Sequence, residues 1–469
     1  MTFSNFRNFL ILIFLLSFSV SAQTYNDATL ARVRQQDQQA RVGGKLPTLS
    51  VAEHAYRAEV YFANRAFPEA REHARKLIET YPNDNAIARA LFVLGRSFMW
   101  ERDYERAVTF LDEVHRRFPD TKDGREGLAF KGASLVRLGK SKDAAKVYEQ
   151  YTVMYPNGER IESSYLNVID ALREAEKYSE AAAWVEKTKQ RFPGTSTETN
   201  AVFARLRMEI GRKNWNEALK NADQLRLLRY PKGTMTNPDE VTFLRAFVLE
   251  KLGRREDAIN AYFAIPDNIS SYYGGLATER LNNLVTDTRR ASLQDRQARV
   301  RNAAAGVSAQ FPALYRDELL REAASRRVDP RFVLSIMKQE SSFKANAKSP
   351  AAARGLLQLT VDTSAKYTAQ AKITNLQAED LYRPSVNIAL GSVYLAELQK
   401  QFPNLLEAVA ASYNGGEDNA ERWLKRANSK EPFMFTAEVG FAESKDYVFK
   451  VLGNYRVYRE LYTEDLRRK

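Results

Sequence analysis

Glu340 lies on the apolar side of a predicted helix, from where its carboxyl group could act as a general acid. Asp329 can cap the free amides at the start of this helix, and Pro330 is tolerated at its first position. Glu340 continues, at helical spacing, an apolar stripe formed by Val333, Ile336 and Met337. Burial without a cation raises the pKa of a carboxyl group, and a carboxyl that keeps its proton near neutral pH suits acid-catalysed cleavage of a glycosidic bond. The pattern alone also allows Glu340 at the edge of the stripe, in reach of water.

Further short motifs follow Glu340 in a set order. After ESSF at 340–343 come SP at 349–350, GLLQL at 355–359, NIA at 387–389 with Gly391 and Tyr394, SYNGG at 412–416, Trp423, and FAESKDYV at 441–448. Each motif is weak by itself, whereas the ordered series is specific. Over residues 311–462 the series resembles the SLT-type lytic transglycosylase domain, which has a lysozyme-like fold. The YYGGLA segment at 272–277 resembles the connection between a helical superhelix and the catalytic domain of soluble lytic transglycosylases.

The resemblance implies a role for Glu340 in cutting the glycan strands of peptidoglycan. Glu340 would protonate the oxygen between N-acetylmuramic acid (MurNAc) and N-acetylglucosamine (GlcNAc). It would then act as a base on the 6-hydroxyl of MurNAc, which attacks its own C1. The product would be a 1,6-anhydro end, formed without a metal or a cofactor.

The resemblance also implies a set of substrate-binding residues. Ser349 and Tyr413 match residues near the carboxylate of the catalytic Glu, whereas Gln358 and Asn414 match polar residues of the glycan groove. Glu443 matches a position that faces the peptide-bearing part of the substrate. Purely structural roles for two of these residues also stay open, since Tyr413 could belong to the core and Glu443 could be a surface charge.

Two alternatives to a lytic transglycosylase also stay open. A lysozyme-like muramidase, which is a hydrolase on the same fold, would need a second carboxylate near Glu340 to activate water. Candidates for that second carboxylate are Asp362, Glu379, Asp380, Glu417 and Asp418. The second alternative is a non-catalytic peptidoglycan-binding scaffold. In such a protein the repeats described next would carry the function, and the C-terminal part would bind glycan without cleaving it.

An array of repeats precedes the motifs. Aromatic–proline pairs begin at Tyr81, Phe118, Tyr155, Phe192 and Tyr230, with spacings of 37, 37, 37 and 38 residues. A series of alanines runs in phase with these pairs: Ala70, Ala107, Ala144, Ala181, Ala218 and Ala258. Because the aromatic–proline pairs and the alanines recur in phase with each other, they predict stacked helical hairpins that resemble tetratricopeptide repeats. Such a solenoid either offers its concave face to a protein partner or only positions the C-terminal part.

The predicted fold class is all-α, a helical-hairpin solenoid followed by a lysozyme-like helical domain. We divide the chain into a signal peptide (1–22), a polar linker (23–48), tetratricopeptide-like repeats (49–265), a helical connector (266–310) and an SLT lysozyme-like catalytic domain (311–469). The leader carries Arg7, an apolar stretch over 9–20 and small residues before a cut after Ala22. The mature protein is therefore expected in the periplasm or secreted, with membrane contact only before signal cleavage.

Composition narrows the chemistry and the partners. The chain has no cysteine, which excludes disulfides and thiol catalysis. Its histidines are His54, His73 and His115, so a histidine triad or zinc site in the C-terminal half is excluded. The net charge of +13 is spread along helical patterns, and no nucleic-acid-binding motif occurs. The expected partner is the peptidoglycan glycan strand, whose carboxylates would attract a basic protein.

Overall fold

The computed structural model describes residues 26–469, and this range is built from α-helices. It contains 23 α-helices and three short 3-10 helices, and apart from isolated bridges it has no β-strand within these residues. The predicted all-α fold class is thereby confirmed. The predicted signal peptide lies outside the described residues. No helix within residues 26–469 is both long and apolar enough to cross a membrane.

Six helical hairpins form the array with the period seen in the sequence. The in-phase alanine of each second helix is fully buried, and this small side chain lets the paired helices approach closely. In the first four hairpins the aromatic residue before proline is the C-cap of the second helix, because proline cannot continue the helical ladder. The hairpins are α2 (Val51–Ala63) with α3 (Phe67–Thr80), α4 (Ile87–Trp100) with α5 (Tyr104–Arg117), α6 (Lys122–Arg137) with α7 (Ser141–Met154), α8 (Ile161–Glu174) with α9 (Tyr178–Arg191), α10 (Ser196–Gly211) with α11 (Trp215–Leu227), and α12 (Pro238–Lys251) with α13 (Arg255–Ala264).

The segment predicted as a polar linker contains a helix that packs on the array. This helix, α1 (Asp27–Ala40), is preceded by Asn26, whose side chain accepts a hydrogen bond from the Thr29 amide at 2.8 Å. Leu30, Val33 and Asp37 are its buried residues. The Asp37 carboxylate accepts hydrogen bonds from Arg57 and Tyr61 of α2 and contacts His73 of α3. Within the predicted polar linker the structure thus places a helix over 27–40, with only three buried side chains whose partners are distant in sequence.

Two helices connect the array to a C-terminal domain. The connector predicted over 266–310 holds α14 (Tyr272–Leu284) and α15 (Asp287–Val307). In the C-terminal domain, the helices Pro330–Ser341 and Leu406–Gly415 both pack against the last helix, Ala442–Leu461, around buried Phe332 and Trp423. The helices of this domain are α16 (Arg316–Glu322), α17 (Pro330–Ser341), α18 (Val361–Ala365), α19 (Pro384–Gln401), α20 (Leu406–Gly415), α21 (Glu417–Ala427), α22 (Pro432–Glu438) and α23 (Ala442–Leu461).

An ionic cluster, defined as half-buried Asp170 with buried Arg173, Arg207, Arg426 and Glu438, joins the array to the C-terminal domain. The Glu438 carboxylate, at the end of α22, accepts hydrogen bonds from Arg173 at 2.5 Å and from Arg207 at 2.9 Å. It also pairs with Arg426 of α21 at 2.7 Å. Burial disfavours the charge of Glu438, but the three guanidinium groups outweigh burial and hold its pKa at about 2. The cluster therefore fixes α22, the segment that leads into α23, against α8 and α10 of the array.

Candidate active site

Glu340 lies in the last turn of α17, where this helix packs against α23. It is half-buried, and its carboxylate accepts a hydrogen bond from the Tyr447 hydroxyl of α23 at 2.7 Å. Burial raises the pKa of Glu340 to about 7, the Tyr447 hydrogen bond opposes this rise, and the charge of Glu443 adds to it. Glu340 can therefore hold a proton or release it near neutral pH, which suits a group that acts first as an acid and then as a base.

Tyr413, on α20, interacts electrostatically with Glu340 of α17. Its hydroxyl donates a hydrogen bond to the Leu357 carbonyl at 2.6 Å, and its ring lies 5.3 Å from the ring of Tyr394. Burial, together with the charge of Glu340, raises the pKa of Tyr413 well above 10. Tyr413 therefore stays protonated and connects the site to the loop over 347–359, which we call the site loop.

Backbone geometry makes Gly355 necessary in the site loop. Its φ of +80° is a left-handed conformation, and an added Cβ would lie 2.1 Å from the Leu381 carbonyl oxygen. Asn387 of α19 holds the loop from the inside. Its side chain accepts a hydrogen bond from the Leu357 amide at 2.8 Å and donates to the Arg354 carbonyl at 3.0 Å. These contacts explain the Gly355 and Asn387 positions of the motifs as structural requirements.

Ser349 and Gln358 use their side chains within the site loop. The Ser349 hydroxyl accepts a hydrogen bond from the Ala353 amide at 3.2 Å. The Gln358 amide group donates to the carbonyls of Ala347 and Gly355 at 3.1 and 2.8 Å. The structure therefore gives both residues a role in shaping the loop, and their contact with glycan stays a prediction.

Asn414 and Glu443 meet at the start of α23. The Ser444 hydroxyl donates a hydrogen bond to the Asn414 side chain at 2.6 Å, and Asn414 in turn hydrogen-bonds to Glu443. Burial raises the pKa of Glu443 despite that hydrogen bond. The charge of Glu443 also raises the pKa of Glu340, and contact of Glu443 with the peptide-bearing substrate stays a prediction.

Tyr447 is a site residue for which the sequence predicted no role. It belongs to the FAESKDYV motif, and its signal was its spacing of four residues from Glu443, which places both side chains on the same face of α23. Tyr447 hydrogen-bonds to the Glu340 carboxylate, Tyr413 and Glu443 interact with Glu340 through charge, and Asn414 is connected through its hydrogen bond to Glu443.

Arginines engage four of the five carboxylates considered as a second catalytic group. Asp362 pairs with Arg65 of the first hairpin at 2.6 Å. Glu417 and Asp418 both pair with Arg102 of the second hairpin, and Tyr104 donates a hydrogen bond to Asp418. The fourth of these carboxylates, Asp380, pairs with Arg383 at 2.9 Å within its own segment. Glu443, absent from that set, is the carboxylate whose charge acts on Glu340.

Comparison with known proteins agrees with this arrangement. Residues 318–435 match the family model described as Transglycosylase SLT domain, and residues 89–121 and 131–195 match models described as Tetratricopeptide repeat. The chain is thus an all-α protein in which tetratricopeptide repeats precede an SLT domain, as the motifs predicted.

Several soluble lytic murein transglycosylases are similar to the chain. A putative soluble lytic murein transglycosylase of Haemophilus influenzae is 30% identical over 254 residues, which cover 53% of this chain and 42% of that relative. The soluble lytic murein transglycosylase of Escherichia coli (strain K12) is 28% identical over 151 residues, 32% of this chain and 23% of the relative. The chain therefore spans less than half the length of these curated relatives in the matched regions.

Solved structures show the same fold. The crystal structure of the 70 kDa soluble lytic transglycosylase SLT70 from Escherichia coli superposes with a TM-score of 0.50 at 17% identity, covering 92% of this chain and 84% of that chain. A complex of the 70 kDa soluble lytic transglycosylase with bulgecin A gives a TM-score of 0.51 at 17% identity, covering 94% and 86%. At this identity the likeness establishes the arrangement of helices.

Proposed function

We propose that this protein is a peptidoglycan lytic transglycosylase that cleaves the β-1,4 bond between MurNAc and GlcNAc and leaves a 1,6-anhydro-MurNAc end. The observation that carries the proposal is Glu340, whose pKa of about 7 and contact with Tyr447 suit one group that both donates and accepts a proton. The SLT domain match and the names of the relatives support the choice of substrate.

The proposed reaction returns Glu340 to its starting state. Protonated Glu340 donates its proton to the glycosidic oxygen as the bond from that oxygen to C1 of MurNAc breaks. The resulting carboxylate is stabilised by the Tyr447 hydroxyl. It then takes the proton of the 6-hydroxyl while that oxygen bonds to C1. No water enters the balance, and no metal or cofactor is proposed.

The first test is mass spectrometry of the muropeptides that the full chain releases from purified peptidoglycan. Anhydro ends, one water lighter than hydrolysed ends, are expected. Reducing ends would replace the proposal with a muramidase, whereas glycan binding without any product would favour a non-catalytic peptidoglycan-binding scaffold. For the protein we further propose a periplasmic or secreted location, supported by the leader pattern and by a substrate that lies outside the cytoplasm.

Glu443 decides between the transglycosylase and the hydrolase. A hydrolase would use Glu443 as the base that activates water, so Glu443→Gln would abolish its cleavage. In the proposed reaction Glu340 is the only base, and we expect Glu443→Gln to lower the rate by about tenfold or less, with products that stay anhydro-ended. Rates and products of the variant, measured beside Glu460→Gln at the exposed far end of α23, check this expectation. Loss of all cleavage in Glu443→Gln alone would contradict it.

Tyr447 should set the pH dependence of the reaction. Cleavage needs protonated Glu340, so we expect the wild-type rate to fall above about pH 7. The Tyr447 hydroxyl stabilises the charged form of Glu340, so its removal in Tyr447→Phe should raise the pKa of Glu340 and move the alkaline limb up by about one pH unit. A pH–rate profile measures this shift.

Tyr455→Phe is the matched control for Tyr447→Phe. Tyr455 lies on the same helix, and its hydroxyl also donates a hydrogen bond to a carboxylate, that of Asp329, at 2.8 Å. This variant loses a similar contact between α23 and the start of α17, but it should leave the alkaline limb in place. Equal shifts in both variants would show that packing of α23 in general, and not the Tyr447 hydroxyl, sets the pKa of Glu340.

A further inference from the structure

Asp27, the first residue of α1, contacts the C-terminal domain at three side chains. Its carboxylate accepts a hydrogen bond from Lys348 at 2.9 Å and another from the Tyr382 hydroxyl at 3.1 Å. It also forms an ion pair with the guanidinium group of Arg354. Burial disfavours the charge of Asp27, but Arg354 and Lys348 outweigh burial and lower its pKa, so the carboxylate is ionised at neutral pH.

Two of the three contacts of Asp27, those with Lys348 and Arg354, fall on the site loop. Arg354 is only 1% exposed, and its backbone pairs with both Lys348 and Leu359 across the loop. Its guanidinium group also donates a hydrogen bond to the Ala352 carbonyl at 2.6 Å. The charge on Arg354 is thus held inside the loop, with Asp27 as its acidic partner. A buried cation that loses such a partner destabilises the backbone around it.

The other end of α1 is fixed to the first hairpin of the array. Asp37 accepts a hydrogen bond from Tyr61 at 2.6 Å and lies 3.0 Å from a ring nitrogen of His73. Leu30 and Val33 are buried between these two ends of the helix. Helix α1 therefore links the array directly to the site loop, a connection that the predicted linker did not include.

We propose that Asp27 is a positioning residue for the site loop. By holding Arg354 and Lys348, it keeps the Leu357 carbonyl in place to accept the hydrogen bond of Tyr413, the residue beside Glu340. The array then takes part in the geometry of the reaction through α1. This inference rests on the proposed function for its kinetic test, but its structural test is independent of activity.

Asp27→Asn in the full chain tests the proposal, with Asp287→Asn as the matched control. Asp287 is likewise the first residue of a helix, α15, but its side chain is 98% exposed and pairs with Arg290 of the same helix. Hydrogen–deuterium exchange reads the loop directly through amides such as those of Arg354, Gly355 and Leu359, which are hydrogen-bonded within it. We expect Asp27→Asn to speed exchange over 347–359 by about tenfold or more, with exchange in α8 and α10 unchanged.

The kinetic test separates positioning from general stability. Asp27→Asn should lower kcat about tenfold with a smaller change in KM, Asp27→Glu should recover part of the loss because it restores the charge, and Asp287→Asn should match the wild type. Wild-type loop exchange and kcat in Asp27→Asn would overturn the proposal, and so would faster exchange spread evenly over the whole chain. If the wild-type protein releases no products, the proposed function fails, and the exchange measurement still decides whether Asp27 positions the loop.

Discussion

Glu340→Gln is expected to lower the release of anhydro-muropeptides by about 10²- to 10⁴-fold or more, since the amide can neither donate the acid proton nor accept it back. The substitution keeps the size of the side chain and an oxygen that can accept the Tyr447 hydrogen bond. Mass spectrometry of digested peptidoglycan at pH 6 to 7 measures the loss. Glu397→Gln, on α19 and paired with Lys400 at the surface, is the control and should cleave like the wild type.

The same variant should be more stable than the wild type above neutral pH. The pKa of Glu340 in the folded protein, about 7, lies above its ordinary value of 4.5. The folded state therefore binds the proton more tightly, and stability falls as the pH rises from about 4.5 to about 7. Removing the titrating group should restore up to about 3 kcal/mol at pH 8, measured by urea unfolding. An inactive variant that is also less stable at pH 8 would point to damage of the fold instead of loss of the acid.

Glu438→Gln is expected to destabilise the protein by about 3–5 kcal/mol, because it leaves the buried guanidinium groups of Arg173, Arg207 and Arg426 short of one negative charge. Glu438 is 3% exposed, so water cannot replace the lost charge. Its pKa of about 2 is below the ordinary value, so the stability it contributes is present above about pH 4.5 and lost as the pH falls towards 2. Urea unfolding at pH 7 and pH 3 measures both effects.

Glu431→Gln is the control for Glu438→Gln. Glu431 occupies the N-cap position at the other end of α22 without a side-chain capping bond, and its 52% exposed side chain pairs with Arg280 of the connector at 2.9 Å. An exposed pair contributes about 1 kcal/mol or less, so this variant should unfold almost like the wild type. Equal losses in both variants would show that the position of α22, and not the buried charge, determines the stability of this interface.

The contacts of Glu438 and Asp27 suggest why the array accompanies the C-terminal domain. Glu438 fixes α22 before the turn into α23, which carries Glu443 and Tyr447. Asp27 fixes the opposite part of the site, the site loop. Arg65 and Arg102 of the array also pair with Asp362 and Glu417, which follow the GLLQL and SYNGG motifs in the sequence. An array that only displayed a concave face to a partner would not need these contacts with the elements around Glu340.

The sequence by itself determined the class of fold, the repeat period and the position of Glu340. Hairpin periodicity, buried alanines and proline stops act between neighbours along the chain, so they are readable without a structure. The helix from Pro330 to Ser341 was likewise predicted from its cap and its apolar stripe, and the SLT domain from the order of its motifs.

The tertiary structure alone decided the surroundings of Glu340. Tyr447 reaches Glu340 across 107 residues, and Arg65 and Arg102 reach Asp362 and Glu417 across 297 and 315 residues. Helix α1 could not be separated from a linker, because its few buried side chains find partners only once the array has folded. Burial and charge pairing depend on which surfaces meet in space, so the pKa of a carboxyl group and the second carboxylate beside it follow from packing and not from the local sequence.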